Sequence, residues 1–348
     1  MVNNESDPYR IEHRVCNSPS FVKGSSVSPS KSCSSLDRAL LTHQSNLPLQ
    51  FSEIMAPSAV YADESQAMSK KYHIFGNGIS FSVSPVIHNA GFKHDGLPHF
   101  YDIQQSTNID GVAPLIQDEH FGGASVTMPH KLQAEKYCDE QTEDAKAIGA
   151  INTLAVIKKD GKRVVKGDNT DWSGLTSLIT NYAKTRQAEQ LNTGLVIGAG
   201  GASRAALYAM YRAGLRNLYV QNRTKAKAEE VRNTFAPLFH VTVLDDLTSP
   251  PELPDVIIGT VPADTTVESQ FQNLFGQKGI CIEMSYKPRV TPLLVAAQKH
   301  EAWTTVTGIE VLLAQAFDQY KIWTGREAPR EAMIKAVEAH ESMMAKLS

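Results

Sequence analysis

The stretch LVIGAGGASRAALYAM, residues 195–210, decides the fold. It begins as a short apolar run typical of a buried strand, turns at Gly198, Gly200 and Gly201, and continues into small residues that favour a helix. The glycines allow a tight turn and a close backbone approach to a ligand, and the helix start offers unpaired N–H groups to a pyrophosphate. We therefore predict a dinucleotide site here, with a tight turn that binds no ligand as the alternative.

The positions after the glycines refine this prediction. The helix opens with Ala202 and Ser203, and Ser203 stands where the strict fingerprint has a third glycine. About 20 residues further on, where an NAD site often places an acid for the ribose hydroxyl, the chain has Arg223. Because an arginine can pair with a 2′-phosphate, the sequence favours NADP over NAD. The nearby Lys225 and Lys227 have a simpler alternative role, which is to solvate the next helix.

The glycine-rich stretch is the first unit of a series in which apolar runs alternate with helical segments. The runs are LVIG (195–198), LYVQ (218–221), VTVL (241–244), DVIIGTV (255–261) and ICIEM (280–284). This rhythm predicts a doubly wound parallel sheet covered on both faces. The last stretch, residues 309–347, predicts two helices separated by a break at WTGREAP.

The chain before this series also follows an α/β pattern. Short apolar runs predict strands at Tyr72–Phe75, Phe100–Ile103 and Gly123–Thr127, and helices are expected to start near Pro85 and Ile109. The fold class is therefore α/β throughout, with an N-terminal α/β region followed by a Rossmann-type sheet and no internal repeat.

Composition excludes several classes of protein. The chain has 348 residues, 42% of them hydrophobic and 20% charged, with a formal net charge of -3, which gives no case for nucleic-acid binding. No apolar run is long enough for a membrane span, so no membrane partner is expected. The 4 cysteines are widely spaced and form no metal or disulfide pattern, which favours a reducing, cytoplasmic location and no metal site.

The first 70 residues differ in composition from the rest. The segment SPSFVKGSSVSPSKSCSSL (18–36) is rich in serine and lacks any sustained apolar period, so we expect residues 1–70 to form a disordered tail. A transit peptide is the alternative, although Glu5, Asp7 and Glu12 depart from the acid-poor pattern of such peptides. Met55 or Met68 could also be the true start.

A nicotinamide cofactor needs a partner group that moves a hydroxyl proton, and two residues outside the glycine-rich region suit that task. Lys131 follows Pro129 in SVTMPHK, where the chain turns and a new helix is expected to start. Asp171, in GDNTDWSG, precedes a helix. A lysine and an aspartate together can position a hydroxyl and shuttle its proton. Each also has a simpler interpretation, a solvated surface lysine and a helix N-cap.

Eight motifs together resemble the shikimate dehydrogenase family, including its quinate/shikimate branch, in the order and spacing of that family. They are FGNGISFSVSP (75–85), SVTMPHK (125–131), IGAINTL (148–154), GDNTDWSG (167–174), VIGAGGASRAAL (196–207), NRT (222–224), YKPRVTPLL (286–294) and GIEVLLAQAFDQYKIWTG (308–325). The resemblance implies an NAD(P)-dependent oxidoreductase that interconverts shikimate and 3-dehydroshikimate at a cleft between two domains.

The resemblance also implies a role for individual residues. Lys131 and Asp171 match the family's catalytic pair. The implied substrate-binding residues are Ser82, Ser84, Thr127, Asn152, Tyr286 and Gln315. The implied cofactor-binding residues are Gly198, Gly200, Gly201, Ala202, Ser203, Asn222, Arg223, Thr224, Thr260 and Gly308. No metal is implied.

Two departures from the family pattern leave alternatives open. Val83 stands between the two serines where relatives often have a lysine, and GTVPAD (259–264) replaces a more usual Asn-Ala-Thr/Ser. These changes bear on cofactor choice and on shikimate against quinate, of which we favour shikimate with NADP over quinate with NAD. A non-catalytic sensor and a different nicotinamide enzyme, such as an amino-acid dehydrogenase, are the other classes considered.

The sequence thus predicts four regions. They are a disordered tail (1–70), a substrate-binding catalytic domain (71–180), a Rossmann NAD(P)-binding domain (190–308) and C-terminal helices that pack back on the substrate domain (309–348). The expected partner is a small-molecule substrate, and the expected state is a monomer or a homodimer. Packing roles are expected for His88 and Trp323, and His130 is expected to point away from the site.

Overall fold

A computed structural model of the chain describes residues 68–186 and 191–347. The predicted disordered tail, residues 1–70, lies almost wholly outside the described residues. All the described residues belong to one unit of the chain, Pro57–Ser348. The described part of the chain forms two six-stranded sheets, and the α/β fold class predicted from the sequence is confirmed.

The first sheet is mixed. Its strands are β1 (Lys71–Gly76), β2 (Phe100–Gln105), β3 (Phe121–Val126), β4 (Glu140–Gln141), β5 (Thr153–Lys159) and β6 (Lys162–Asp168). They lie in the order β2-β1-β3-β5-β6-β4, with β1 parallel to β2 and β3, and β5 antiparallel to β3 and β6. The three strands predicted in this region correspond to β1, β2 and β3, whereas β4, β5 and β6 were not predicted.

The second sheet is parallel in every pairing. Its strands are β7 (Thr193–Ile197), β8 (Asn217–Gln221), β9 (Thr242–Leu244), β10 (Val256–Gly259), β11 (Gly279–Glu283) and β12 (Trp303–Val306). The order β12-β11-β10-β7-β8-β9 is that of a Rossmann sheet, in which ligands bind where the strand order reverses beside β7. The five predicted runs supply β7 to β11, and the sequence did not predict β12.

Helices cover both sheets. They are α1 (Ser84–His94), α2 (Ala113–Gln117), α3 (Glu143–Ile148), α4 (Asp171–Thr185), α5 (Gly201–Arg212), α6 (Lys225–Phe235), α7 (Pro292–Gln298), α8 (Gly308–Thr324) and α9 (Arg330–Leu347). The predicted helix near Pro85 is α1, and the predicted pair at the C-terminal end of the chain is α8 and α9. Near Ile109 the chain instead forms a short 3₁₀ turn, Ile109–Val112, that leads into α2.

Helices α4 and α8 cross closely and thereby bring together residues from distant parts of the chain. Gly174 permits this crossing, because a Cβ at that position would lie 2.9 Å from the backbone nitrogen of Gln315. At its other end α8 packs on the first sheet, where the indole of Trp323 donates a hydrogen bond to the Leu154 carbonyl at 2.9 Å. Gly123 makes room for that indole, since a Cβ there would lie 2.6 Å from it.

Candidate active site

Lys131 and Asp171 form a direct pair. The Lys131 Nζ lies 2.5 Å from Asp171 Oδ2, and the two side chains are only 14% and 6% exposed. Lys131 lies in a short 3₁₀ helix, His130–Leu132, where the sequence predicted that a new helix would start. Asp171 is the first residue of α4, and Thr170 holds the N-cap position. Lys131 is therefore not a solvated surface lysine, and Asp171 is not the N-cap of α4.

Asn152 and Gln315 complete the surroundings of Asp171. The Asn152 side-chain amide donates to Asp171 Oδ1 at 2.9 Å, while its own Oδ1 accepts the Thr170 N–H at 2.7 Å. Gln315 reaches the same cluster from α8, where its Oε1 lies 3.3 Å from the Asn152 amide and 3.2 Å from the Thr170 hydroxyl. The fold thus gathers four of the predicted site residues, Lys131, Asn152, Asp171 and Gln315, from four separate segments into one hydrogen-bonded group.

A second group lies at the serine loop before α1. Ser82 and Ser84 are buried, and their hydroxyls lie 3.2 Å apart. Tyr286, from the loop after β11, lies close enough to hydrogen-bond with Ser82. Burial raises the pKa of the Tyr286 phenol, and this hydrogen bond partly offsets the rise. Thr127 follows β3 and is half-buried, with its N–H bonded to the Phe75 carbonyl at 2.9 Å.

The glycine-rich turn is fixed by hydroxyl groups. Gly198 has a φ of 120°, which favours glycine, and a Cβ there would lie 2.3 Å from the Thr260 hydroxyl. The Thr260 hydroxyl donates to the Ile197 carbonyl at 2.9 Å and lies 2.6 Å from the Ser203 hydroxyl. Ser203 in turn accepts the Gly200 N–H at 3.0 Å. Ser203 and Thr260 therefore hold the turn in shape from within the protein.

The turn has room for a phosphate-bearing cofactor. A Cβ on Gly200 would meet no atom within 4 Å, so the turn faces open space at the start of α5. The following helix has 12 residues, long enough for its first N–H groups to attract an anion. Ala202 is half-buried in the first turn of this helix. These residues fit the pyrophosphate of a dinucleotide.

Gly201 has a different neighbour. A Cβ built on it would lie 2.8 Å from the Cβ of Lys131 and 3.5 Å from that of Ala150. The stem of the lysine therefore packs directly on the glycine-rich turn, and the Lys131–Asp171 pair adjoins the turn of the second sheet. This contact between two sequence motifs 70 positions apart was not predicted.

The residues after β8 lie at the surface. Arg223 is exposed, and the Asn222 side chain donates to the Thr224 carbonyl at 2.9 Å. Lys225 forms an ion pair with Asp245 at 2.5 Å, which supports the simpler role for this lysine.

Gly308 begins α8, and a Cβ there would lie 2.5 Å from the Ser285 carbonyl oxygen. In this structure Gly308 thus adjoins the loop that carries Tyr286.

Several polar residues of this region were not predicted. Gln319 is buried in α8, where its Oε1 accepts the Ser125 hydroxyl and its amide donates to the Thr153 hydroxyl, each at 2.9 Å. Gln319 follows Gln315 by four residues, and that helical spacing places both on one face of α8. The spacing was the available signal. Glu283, at the end of β11, was missed as well, although a charged residue inside the apolar run ICIEM is unusual.

His88 and His130 are buried outside the Lys131–Asp171 pair. The His88 ring stacks on Tyr101 at 4.7 Å and lies 4.9 Å from the ring of Trp323, so both residues pack in the core of the first sheet. His130 Nε2 lies 2.9 Å from the Ser106 carbonyl.

Among the described residues no cluster of histidine, cysteine, aspartate or glutamate could hold a metal ion. None of the described helices is long and apolar enough to cross a membrane.

Burial of His88 makes stability depend on pH. It lowers the pKa of His88 from 6.5 to about 3, so the folded protein keeps the ring neutral while the unfolded chain gains a proton below pH 6.5. The contribution of His88 to the free energy of unfolding is therefore complete above pH 6.5. It falls as the pH is lowered towards 3, at a rate approaching about 1.4 kcal/mol per pH unit. We expect His88→Gln, whose side chain does not titrate, to unfold in urea with a flatter pH dependence between pH 7 and 5. Equal slopes for the variant and the wild type would contradict this.

The fold and the site together define a two-sheet α/β protein with a dinucleotide-type turn beside a buried lysine–aspartate pair. Three family models match successive parts of the chain. They are the shikimate dehydrogenase substrate binding domain at residues 74–154, the shikimate / quinate 5-dehydrogenase at residues 182–274 and the shikimate 5′-dehydrogenase C-terminal domain at residues 308–338. The chain belongs to the shikimate dehydrogenase family.

Individual relatives agree with this assignment. The pentafunctional AROM polypeptide of Mycosarcoma maydis is 41% identical over 309 residues, which cover 78% of this chain and 18% of that polypeptide. The chain therefore spans less than a fifth of the length of that relative. A structure of dehydroquinate dehydratase and shikimate dehydrogenase from S. pombe AroM is 34% identical, with a TM-score of 0.63, over 78% of this chain and 53% of that one. A shikimate dehydrogenase solved in complex with NADP+ is 27% identical, with a TM-score of 0.65, over 78% of this chain and 96% of that one.

Proposed function

We propose that this protein is an NAD(P)-dependent dehydrogenase that interconverts shikimate and 3-dehydroshikimate, with Lys131 and Asp171 as its proton-transfer pair. The observation that carries the proposal is the contact of 2.5 Å between these two side chains, next to the glycine-rich turn. Residues 71–180 would bind the substrate and residues 190–308 the dinucleotide. The helices in residues 309–348 would complete the substrate side.

The two polar groups suit the two ends of the substrate. Shikimate carries one carboxylate and several ring hydroxyls, so it needs hydrogen-bond donors at one end and mixed donors and acceptors at the other. Hydroxyl groups from Ser82, Ser84 and Tyr286 would supply the donors, with Thr127 at the same side. The amide and carboxylate groups around Asp171 would hold the ring hydroxyls, since Asn152 and Gln315 both reach that cluster.

The proposed reaction separates a hydride from a proton. A nicotinamide, when bound, supplies the acceptor or donor of the hydride at the ring carbon. During oxidation a neutral Lys131 accepts the hydroxyl proton as the carbon–oxygen bond becomes a carbonyl, and during reduction a protonated Lys131 returns it. Asp171 holds the Lys131 amine in place through their contact at 2.5 Å. The stem of Lys131, packed on Gly201, keeps the amine beside the cofactor turn.

The cofactor favoured by the chain is NADP, and NAD is the alternative. Residues 222–228, directly after β8, include no acid, and Arg223 is exposed there, where it can meet a 2′-phosphate. The relative with 27% identity was solved with NADP+. Thr260, held between Ser203 and the Ile197 carbonyl, would fix the turn on the nicotinamide side.

Quinate oxidation is the second candidate. Changes beside the two serines bear on the choice between the substrates, and the buried Val83 leaves this loop with hydroxyls alone at the carboxylate end. The family model at residues 182–274 is itself described for both substrates. A ligand sensor is less well supported, because a protein that only binds its ligand has no need of a buried proton-transfer pair.

The test is the initial rate of nicotinamide reduction with shikimate and with quinate, each offered with NADP and with NAD. We expect shikimate with NADP to give the highest kcat/KM, by about 10-fold or more over each other combination. A preference for quinate with NAD would replace the first candidate by the second and remove the role given to Arg223. The absence of any rate in all four combinations would refute the dehydrogenase proposal.

A further inference from the structure

The serine loop and the loop after β11 meet through three side chains. Phe81, directly before Ser82, is 41% exposed. The ring of Tyr286 meets the Phe81 ring edge-on, with centroids 5.6 Å apart. The Lys287 Nζ lies 4.5 Å from the centroid of the Phe81 ring, within the range of a cation–π contact. This trio, Phe81, Tyr286 and Lys287, joins a loop of the first sheet to a loop of the second.

The loop that carries Tyr286 and Lys287 is anchored at both ends by a buried carboxylate. Glu283 accepts the Ser285 N–H and the Thr291 hydroxyl, each at 3.0 Å, one from either end of the loop. Burial raises the pKa of Glu283, in keeping with its enclosure. These two anchors hold the ends of the loop, so the backbone that carries Lys287 stays close to the serine loop.

Among the described residues, Lys287 is also a cation that has no carboxylate partner. Within residues 68–186 and 191–347, no ion pair of the structure includes it. Its neighbour Arg289, by contrast, is paired with Glu341. The serine loop itself, residues 79–85, has no charged side chain, and the residue between its two serines is the buried, apolar Val83. Lys287, held over the ring of the residue before Ser82, therefore offers a positive charge on the side of the serine loop.

We propose that Lys287, held over Phe81, supplies the positive charge that attracts the substrate carboxylate, and that the trio closes this end of the site. The inference rests on the proposed function, since it needs a substrate with a carboxylate at the two serines. A cation beside hydroxyl donors strengthens the binding of a carboxylate more than the hydroxyls alone. Lys287 thus determines substrate affinity and takes no part in proton transfer.

The experiment compares steady-state kinetics of the whole chain and its variants. We expect Lys287→Gln to raise the substrate KM by about 10-fold while kcat stays within about twofold. Lys287→Arg, which keeps the charge, should recover most of the affinity. Phe81→Leu should raise KM by a smaller factor, because the cation loses its support. The matched control is Lys278→Gln, which changes the net charge equally at an exposed position and should leave KM unchanged.

Two further readouts separate charge from structure. Added salt should raise the KM of the wild type more than that of Lys287→Gln, because ions screen the attraction. The methyl ester of the substrate, which lacks the negative charge, should respond little to Lys287→Gln. An unchanged KM in Lys287→Gln, with an active wild type, would overturn this inference alone. A wild type inactive on shikimate and quinate would overturn the inference together with the proposed function.

Discussion

Lys131→Ala is expected to lower kcat by about three orders of magnitude and to change the substrate KM by less than about 10-fold. General acid–base catalysis by one side chain contributes about 10²- to 10⁴-fold to a rate, and in the proposed function the serine loop and Asn152 share the binding of the substrate. The variant also leaves Asp171, which is 6% exposed, without its cation. Stopped-assay kinetics in both directions, with saturating cofactor, measure kcat and KM separately.

The control for this experiment is Lys131→Met. Methionine keeps a long apolar stem to pack on Gly201 but has no amine, so its kcat should fall as far as that of the alanine variant. A small primary amine added to the Lys131→Ala enzyme should restore part of the rate, since it can occupy the space of the missing side chain. Equal losses in kcat and in substrate affinity would show that Lys131 serves binding rather than proton transfer.

The second sheet could be predicted from the sequence because most of its strands are marked by a pattern of neighbouring residues. Parallel strands covered on both faces read as continuous apolar runs, and β7, β8, β10 and β11 are such runs. The glycine-rich turn then identifies the edge at which a ligand binds. β12 was not predicted because its four residues, WTTV, include two half-buried threonines and so form no continuous apolar run.

The hairpin formed by β5 and β6 was missed although the sequence carried a signal for it. Asp160 and Gly161, at its turn, have φ values of 52° and 74°, and Asp-Gly is a preferred pair for such a turn. The flanking residues are mostly lysine, arginine and valine, and only part of the hairpin is buried. A strand with charged residues on its exposed face gives a weak hydrophobic pattern, so the turn was the better indicator.

The candidate site, too, could be predicted only in part from the sequence. The identities of Lys131, Asp171, Asn152 and Gln315 could be taken from the motifs, but their arrangement depends on the crossing of α4 and α8 at Gly174. A sequence gives spacing along the chain and no distance across it. The glycines of the turn show the limit most clearly, because the sequence assigns Gly198, Gly200 and Gly201 one shared role. In the structure each of the three has different surroundings.

Gly201→Ala is expected to lower kcat by about 30-fold or more even with saturating cofactor. Its Cβ would lie 2.8 Å from the Cβ of Lys131, a distance that real Cβ atoms essentially never show. The Lys131 Cβ belongs to a stem fixed by the backbone, and the Lys131 carbonyl accepts the Ile151 N–H at 2.8 Å, so the stem cannot rotate out of the way. The substitution must shift either the turn or the lysine, and a displacement of about 1 Å can cost about 10²-fold in rate.

Gly200→Ala is the matched control, one position away in the same turn. Gly200 has a φ of -101°, which any residue can adopt, and a Cβ there would meet no protein atom within 4 Å. We expect its kcat to stay within about twofold of the wild type, with the loss confined to the KM for the cofactor, because the new methyl group occupies the space open to a pyrophosphate. Thermal unfolding of both variants checks that the fold is kept. If Gly201→Ala also lost only cofactor affinity, Gly201 would act on the cofactor alone, and the packing of Lys131 on the turn would have no part in catalysis.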